Sequence, residues 1–307
     1  MPTNPVHIAQ INSNSVLSPA INAWKLYLED QGRSIHTIKA FSADLNLLSS
    51  YLPPDRTISS ITTGDINNFL NWMQQERKAP CSPKTLSRRI TSIKSFFRWL
   101  HTHGIILVDP AEQVLQKSVI SPLPRVLSKE QLSNCLAVAD SYRRNEKPDS
   151  RPYTLFKLLI DTAIKKGETL SLSINHIDLD TPSGPILFVR YASPKHRYKE
   201  RKIQLSREWI EAFLEYRQQY DIQDQLFPWS QRRLEYLLED IGKQAGLPIQ
   251  LSFLTCRWTS ALVDYLNAVE PTKIRQKLGV SEIQWREVHM KIKKLASGED
   301  DTETYQE

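Results

Sequence analysis

The chain has 307 residues, 40% of them hydrophobic and 24% charged, with a formal net charge of +6. That length favours two domains, and that composition supports packed cores, which excludes a fibrous or disordered chain. Cys81, Cys135 and Cys256 make neither a disulfide framework nor a zinc pattern, the first residues lack the basic start and apolar run of a signal peptide, and no apolar stretch approaches a membrane span. The expected compartment is a reducing cytoplasm. The positive excess is compatible with a nucleic-acid partner without demanding one.

Residues 1–16 are polar and read as a flexible arm. A first helix is predicted over Ala20 to Glu29, with Ile21, Trp24 and Leu28 on one face. A second follows Ser34, carries Ile38, Phe41, Leu45 and Leu48 at helical spacing, and ends at Pro53-Pro54. A third begins after Thr62-Thr63 and presents Ile66, Phe69, Leu70 and Met73. The fourth has Ser82 as its cap, Pro83 at its first position and Gly104 as its stop. Leu86, Ile90, Ile93, Phe97 and Leu100 form its apolar stripe. Lys84, Arg88, Thr91, Ser95 and Arg98 lie opposite, flanked by Arg89 and Lys94. Residues 17–117 therefore read as a small four-helix domain with a basic outer face, and Asp109-Pro110-Ala111 as the start of a short further helix.

A linker is expected over 118–127, around Pro122 and Pro124. Ser128-x-x-Gln131 is a capping box that opens a second domain over 128–297. Asp140 to Arg151 reads as a polar loop and Tyr153 to Ile164 as a helix. Ile174–Asp180, Ile186–Tyr191 and Arg201–Leu205 alternate as strands of one small sheet. The remainder is helical: Arg207–Tyr220, Gln231–Gly246, Leu254–Ala268, Pro271–Leu278 and Ser281–Leu295. Residues 298–307 hold five acids and no base, and read as a disordered acidic tail. The fold class expected is mainly α with a small β-sheet.

Two patterns carry a family resemblance. Ser82-Pro83-Lys84-Thr85-Leu86-Ser87-Arg88-Arg89-Ile90 through Phe96-Phe97-Arg98-Trp99-Leu100, then Asp109-Pro110-Ala111 and Leu123-Pro124-Arg125-Val126-Leu127-Ser128, is similar to the SAM-like core-binding domain and linker of tyrosine recombinases, the phage-integrase and Xer family. Ser34 to Leu48, with Thr37 and Asp44, matches the earlier part of that domain. In the second domain the order Asp161-Thr162-Ala163-Ile164-Lys165-Lys166-Gly167-Glu168, a hairpin around Lys195 to Leu205, Leu226-Phe227-Pro228, Ala245-Gly246-Leu247, Arg257 and Leu278-Gly279 resembles the family's catalytic-type domain. The resemblance spans roughly residues 15 to 295. It implies a two-domain clamp on double-stranded DNA in the cytoplasm, at the nucleoid. It also implies cleavage by a tyrosine through a 3′-phosphotyrosyl link, two arginines on the scissile phosphate, a hairpin lysine as acid, assisting histidines, and no metal or cofactor.

Carried over residue by residue, the resemblance gives a degenerate site. The first arginine falls on Lys165, with Lys166 a competitor for the position. A lysine keeps the charge and loses the bidentate fork. The hairpin lysine falls on Lys195, and the second arginine is Arg257. The two assisting ring positions fall on Leu254 and Val280, and the nucleophile on His289. Beyond it only Tyr305 offers a phenol, within the acidic tail. Cys256 reads as a buried small residue. DNA contacts are expected from Thr37, Lys84, Thr85, Arg88, Arg89, Lys94, Arg98, Arg197, Lys199 and Arg201. The expectation is a DNA-binding protein of this family defective in strand cleavage, acting as an accessory in recombination or as a DNA-binding regulator, its protein partner an active recombinase or a second copy joined on DNA through the C-terminal helix. The alternatives are an active divergent site-specific recombinase, with an unrecognised nucleophile or a tyrosine supplied by a partner chain, and an interaction module for another acidic partner.

Overall fold

The computed structural model describes residues 11–77, 79–117 and 121–298. The first part of the expected arm, residues 118–120 of the expected linker and the tail from 299 on, with Tyr305, lie outside the described residues. The chain divides into two compact units, Met1–Ser121 and Pro122–Glu307.

Among the described residues the first unit holds four α-helices: α1 (Leu17–Asp30), α2 (Ile35–Tyr51), α3 (Thr63–Asn71) and α4 (Pro83–Thr102). Their starts follow from side-chain oxygens that satisfy orphan N–H groups. Ser34 accepts from the Thr37 N–H at 3.1 Å, Ser82 accepts from Thr85 at 3.3 Å, and Thr62 and Asp65 cap each other reciprocally. The apolar faces converge on Trp24, Phe69, Phe96, Phe97, Leu45 and Leu48, all fully buried. α3 runs on into a π-helical turn, Trp72–Glu76. Asp109-Pro110-Ala111 begins no helix: the Asp109 carboxylate accepts the Ala111 N–H at 2.8 Å and holds a turn instead.

In the second unit, α5 (Lys129–Arg144) starts at the Ser128/Gln131 capping box and runs through Asp140–Arg144, the first part of the stretch expected as loop. Asp140 pairs with Arg143 and Arg144 at i,i+3 and i,i+4, so these charges support the helix that they were expected to break. α6 (Arg151–Thr162) is the central helix, packed by α5 and by the later helices α8, α9 and α10. A short α7 (Lys166–Leu170) follows, which the sequence did not suggest. The strands are shorter than expected: β1 (Ile177–Asp178), β2 (Ile186–Val189) and β3 (Arg201–Gln204). They pair antiparallel in the order β1-β2-β3, with Leu187 opposite Ile203. Ile174–His176 is a 3₁₀ turn and no part of the sheet. Then come α8 (Arg207–Gln219), α9 (Gln231–Gln244), α10 (Phe253–Leu266), α11 (Pro271–Leu278) and α12 (Glu282–Ser297). Trp209, Tyr216, Phe156, Phe213 and Phe227 fill the core. Leu127, expected in the linker, is buried in this unit and its N–H donates to the Thr259 hydroxyl at 2.9 Å. α12 folds back on α10 and α11 of its own chain, burying Ile292. No described helix is long and apolar enough to cross a membrane.

Candidate nucleic-acid interface

Two helix ends and one helix start build the centre of the second unit. α6 stops at Ala163, which takes a left-handed φ of 52°. α11 stops at Gly279, φ 57°. These stops turn the carbonyls of Ala163 and Leu278 toward the first turns of α10, where the Arg257 guanidinium donates to both, to Leu278 at 2.5 Å. Carbonyls at helix C-termini carry partial negative charge, so the pairing is favourable. Burial lowers Arg257 to about 10, which leaves it a cation at neutral pH.

Lys165 caps α7. Its main-chain N–H donates to Glu168 Oε2 at 2.7 Å. Its ammonium lies 3.5 Å from the Gly279 carbonyl and 4.0 Å from the Glu168 carboxylate. Burial pulls its pKa down to about 8, with repulsion from Arg257, Lys199 and Arg201 opposing the attraction of Glu168.

Glu168 is buried and accepts from the Arg201 guanidinium at 3.0 and 2.9 Å, and from the Tyr191 hydroxyl. Arg201 also donates to the Lys277 carbonyl at 2.7 Å. Arg201 was expected at DNA. Its side chain is only 7% exposed, and it ties β3 to α7 and to the end of α11. A buried guanidinium held at both ends is a brace, and the expectation is corrected. Gly279 shows how tight the joint is: a Cβ there would stand 2.7 Å from Arg201 Nη1. Gly279→Ala is expected to cost about 1–3 kcal/mol, read as a lower urea midpoint, from left-handed strain plus displacement of Arg201.

Two recesses, of about 640 and 330 Å³, meet at Lys165, Leu254 and Arg257. The larger adds Lys166, Arg232, Glu235 and Glu239, with Lys166 paired to Glu235 at 3.0 Å. The smaller adds Trp258, Leu278, Val280 and, from α12, Gln284, Glu287, Val288 and Lys291. Lys165, Arg257, Leu254 and Val280 thus line one recess together. His289 does not. It stacks on Trp285 (5.0 Å, 9°) and meets Tyr265 edge-on, and it lines neither recess. Its Nε2 has no hydrogen-bond partner, and burial lowers its pKa. The place expected for the nucleophile therefore faces an aromatic cluster. Nothing in the local sequence around Arg232 or Lys291 marks either as a recess residue. Only the turn of α12 that puts Gln284, Val288 and Lys291 on one face would have pointed to the latter.

Lys195 and Arg197 are exposed on the 3₁₀ segment Pro194–Lys199 of the hairpin, and Lys195 does not line the recesses. Lys199 is half-buried, its ammonium 5.2 Å from the Tyr198 ring centre. In the first unit Lys84 and Arg98 are exposed. Thr37 and Thr85 bond to the capping hydroxyls of Ser34 and Ser82, at 2.8 and 2.9 Å. Arg88 grips the buried Asp44 yet stays 41% exposed. Lys94 reaches the Glu112 carbonyl at 3.2 Å. Arg89 corrects the expected DNA face: it is 13% exposed and turned inward to Asp44, Met73 and Cys81. Among the described residues no group of three His, Cys, Asp or Glu side chains is placed to hold a metal ion.

Residues 21–104 match the family model described as "Phage integrase, N-terminal SAM-like domain". The chain is 25% identical over 280 residues to "Tyrosine recombinase XerD" of Listeria innocua, covering 87% of this chain and 91% of that protein. It is 30% identical over 148 residues to "Tyrosine recombinase XerC" of Mycobacterium bovis, an alignment that spans about half of each, 48% and 49%. Among solved structures, a lambda integrase dimer bound to a core site superposes with a TM-score of 0.71 at 16% identity, over 100% of this chain and 83% of that one. XerH recombinase in a post-cleavage complex with a palindromic difH substrate gives 0.70 at 16%, over 95% and 92%. At such identity these two likenesses establish the fold alone.

Proposed function

We propose that this chain, which belongs to the tyrosine recombinase/phage integrase (Xer-like) superfamily, is a DNA-binding protein of site-specific recombination that grips duplex DNA without cutting it. It serves as an accessory to an active recombinase or as a DNA-binding regulator. One observation carries the reading. Arg257 and Lys165 keep two cations at the recess, while the two positions expected to hold assisting rings and the position expected to hold the nucleophile put no such group into it. Leu254 and Val280 are aliphatic, and His289 is stacked away from it. Phosphate can be held and its charge balanced there with no nucleophile placed to break the ester.

Lys84, Arg88, Arg98, Lys195 and Arg197 are the exposed cations that would meet the backbone. Their contacts release counterions, so affinity is expected to fall by about 10³–10⁵ between 50 and 200 mM salt if six to ten phosphates are engaged. Gel shifts across that series measure it, and an absence of binding at the low-salt end defeats the proposal.

Lys165 adds a pH signature. Its pKa of about 8 means that the charge facing phosphate is lost as pH rises through that value. DNA affinity is expected to weaken between pH 7 and 9, and Lys165→Arg, charged throughout, to flatten that part of the profile. Fluorescence anisotropy with labelled duplex at fixed salt reads both. Equal profiles for the two proteins would remove Lys165 from the interface.

A further inference from the structure

The smaller recess has a character that a phosphate seat alone does not require. Leu254 stands 61% exposed on the first turn of α10. Trp258, Leu278, Val280 and Val288 complete an apolar wall around it. The Lys165 and Arg257 side chains line the same recess, as does Lys291, paired with Glu287 at 2.8 Å. The volume, about 330 Å³, lies at the small end of ligand pockets, and greasy walls with a few convergent polar groups are their usual make-up.

We propose that this recess is a binding site for a small amphipathic carboxylate, with its carboxylate on Lys165 and Arg257 and its hydrocarbon body on Leu254, Val280 and Val288. The two carbonyls that accept from Arg257 fix the plane of the guanidinium and leave its remaining N–H groups for an incoming acceptor. Lys165 has its polar neighbours at 3.5 and 4.0 Å, so its donors have room for a closer oxygen. The lining carries Lys165, Arg257 and Lys291 against Glu287, an excess that favours an anion, while the acid in the lining disfavours a highly charged one. A DNA phosphodiester satisfies the cations but brings no hydrocarbon to cover the wall. An aliphatic or aromatic acid satisfies both. This site does not depend on DNA binding and is measured without it.

Calorimetric titration of the full chain with octanoate, acetate and octanol is the test, on the wild type and on two substitutions at solvent-accessible positions, Leu254→Asp and Lys165→Gln. Circular dichroism checks that each variant is folded. Octanoate is expected to bind one to one with a Kd below about 1 mM, and acetate and octanol at least about 10-fold more weakly. Each substitution should weaken octanoate at least about 10-fold, Leu254→Asp by setting a like charge against the ligand and Lys165→Gln by removing its counter-charge. An absence of saturable octanoate binding, acetate or octanol binding as tightly as octanoate, or undiminished octanoate binding by either folded variant overturns the assignment.

Discussion

Incubated with a nicked duplex that traps covalent intermediates, the chain is expected to give no protein–DNA adduct that survives denaturation, at a rate at least about 10⁴-fold below that of a cleaving tyrosine recombinase. Loss of positioned proton transfer alone slows such reactions by about 10²–10⁴, and loss of the nucleophile comes on top. The aliphatic Leu254 and Val280 can neither accept nor donate a proton. His289→Tyr is expected to give no adduct either. The ring at that position packs between Trp285 and Tyr265, and α12 turns Gln284, Val288 and Lys291 toward Arg257 instead. A new phenol would inherit the aromatic contacts. The strict form of the test adds a cleaving relative to the same reaction. If a partner supplies the tyrosine, the adduct maps to the relative and appears only in the mixture. A stable adduct with the wild-type chain alone would overturn the proposal of a non-cutting protein, and the linked residue would identify the nucleophile.

Local chemistry was legible in the sequence and tertiary pairing was not. Ser34, Thr62, Ser82, Ser128 and Ser281 were each readable as helix starts because a cap bonds within three residues of itself. The apolar stripe of α4 was readable for the same reason: its period is a property of one helix. The fate of a cation depends on a distant acid. Arg201 finds Glu168 across 33 residues and Arg89 finds Asp44 across 45, so both were read as DNA contacts while the fold uses them as braces. His289 shows the limit of counting along a motif. Spacing put it at the nucleophile's place in the order, but the direction of its ring is set by how α12 lies on α10. The helix continues past Asp140 because a run of charged residues, polar enough for a solvated loop, also offers i,i+4 pairs.

Glu168→Gln is expected to destabilise the second unit by about 3–5 kcal/mol, because it removes the counter-charge of a buried guanidinium and leaves that charge in place. The Glu168 and Arg201 side chains are 3% and 7% exposed, so water screens the pair little. A fall in the urea midpoint at unchanged slope measures the loss. Acid titration provides the independent check. Burial pushes the Glu168 carboxyl up, but hydrogen bonds and attraction from Arg201, with the Lys165 N–H and the Tyr191 hydroxyl, outweigh it and hold the pKa at about 2 against an ordinary 4.5. A folded-state pKa below the unfolded one means that the unfolded chain binds the proton more readily. The stabilisation is then fully present above about pH 4.5 and is lost as pH falls toward 2, roughly 3 kcal/mol in all. A glutamine amide does not titrate, so the Glu168→Gln variant should lose that part of the acid dependence. If wild type and variant fall in parallel from pH 5 to 2, Glu168 is not the titrating brace. The same joint fixes the neighbouring cations. Arg201 holds the Lys277 carbonyl at the end of α11, next to the Leu278 and Gly279 carbonyls that face Arg257 and Lys165. A variant that breaks the brace should therefore loosen both cations and weaken DNA binding although Glu168 itself touches no phosphate. Glu168→Asp, which keeps the charge but shortens the reach, is expected to fall between the wild type and Glu168→Gln in both measurements.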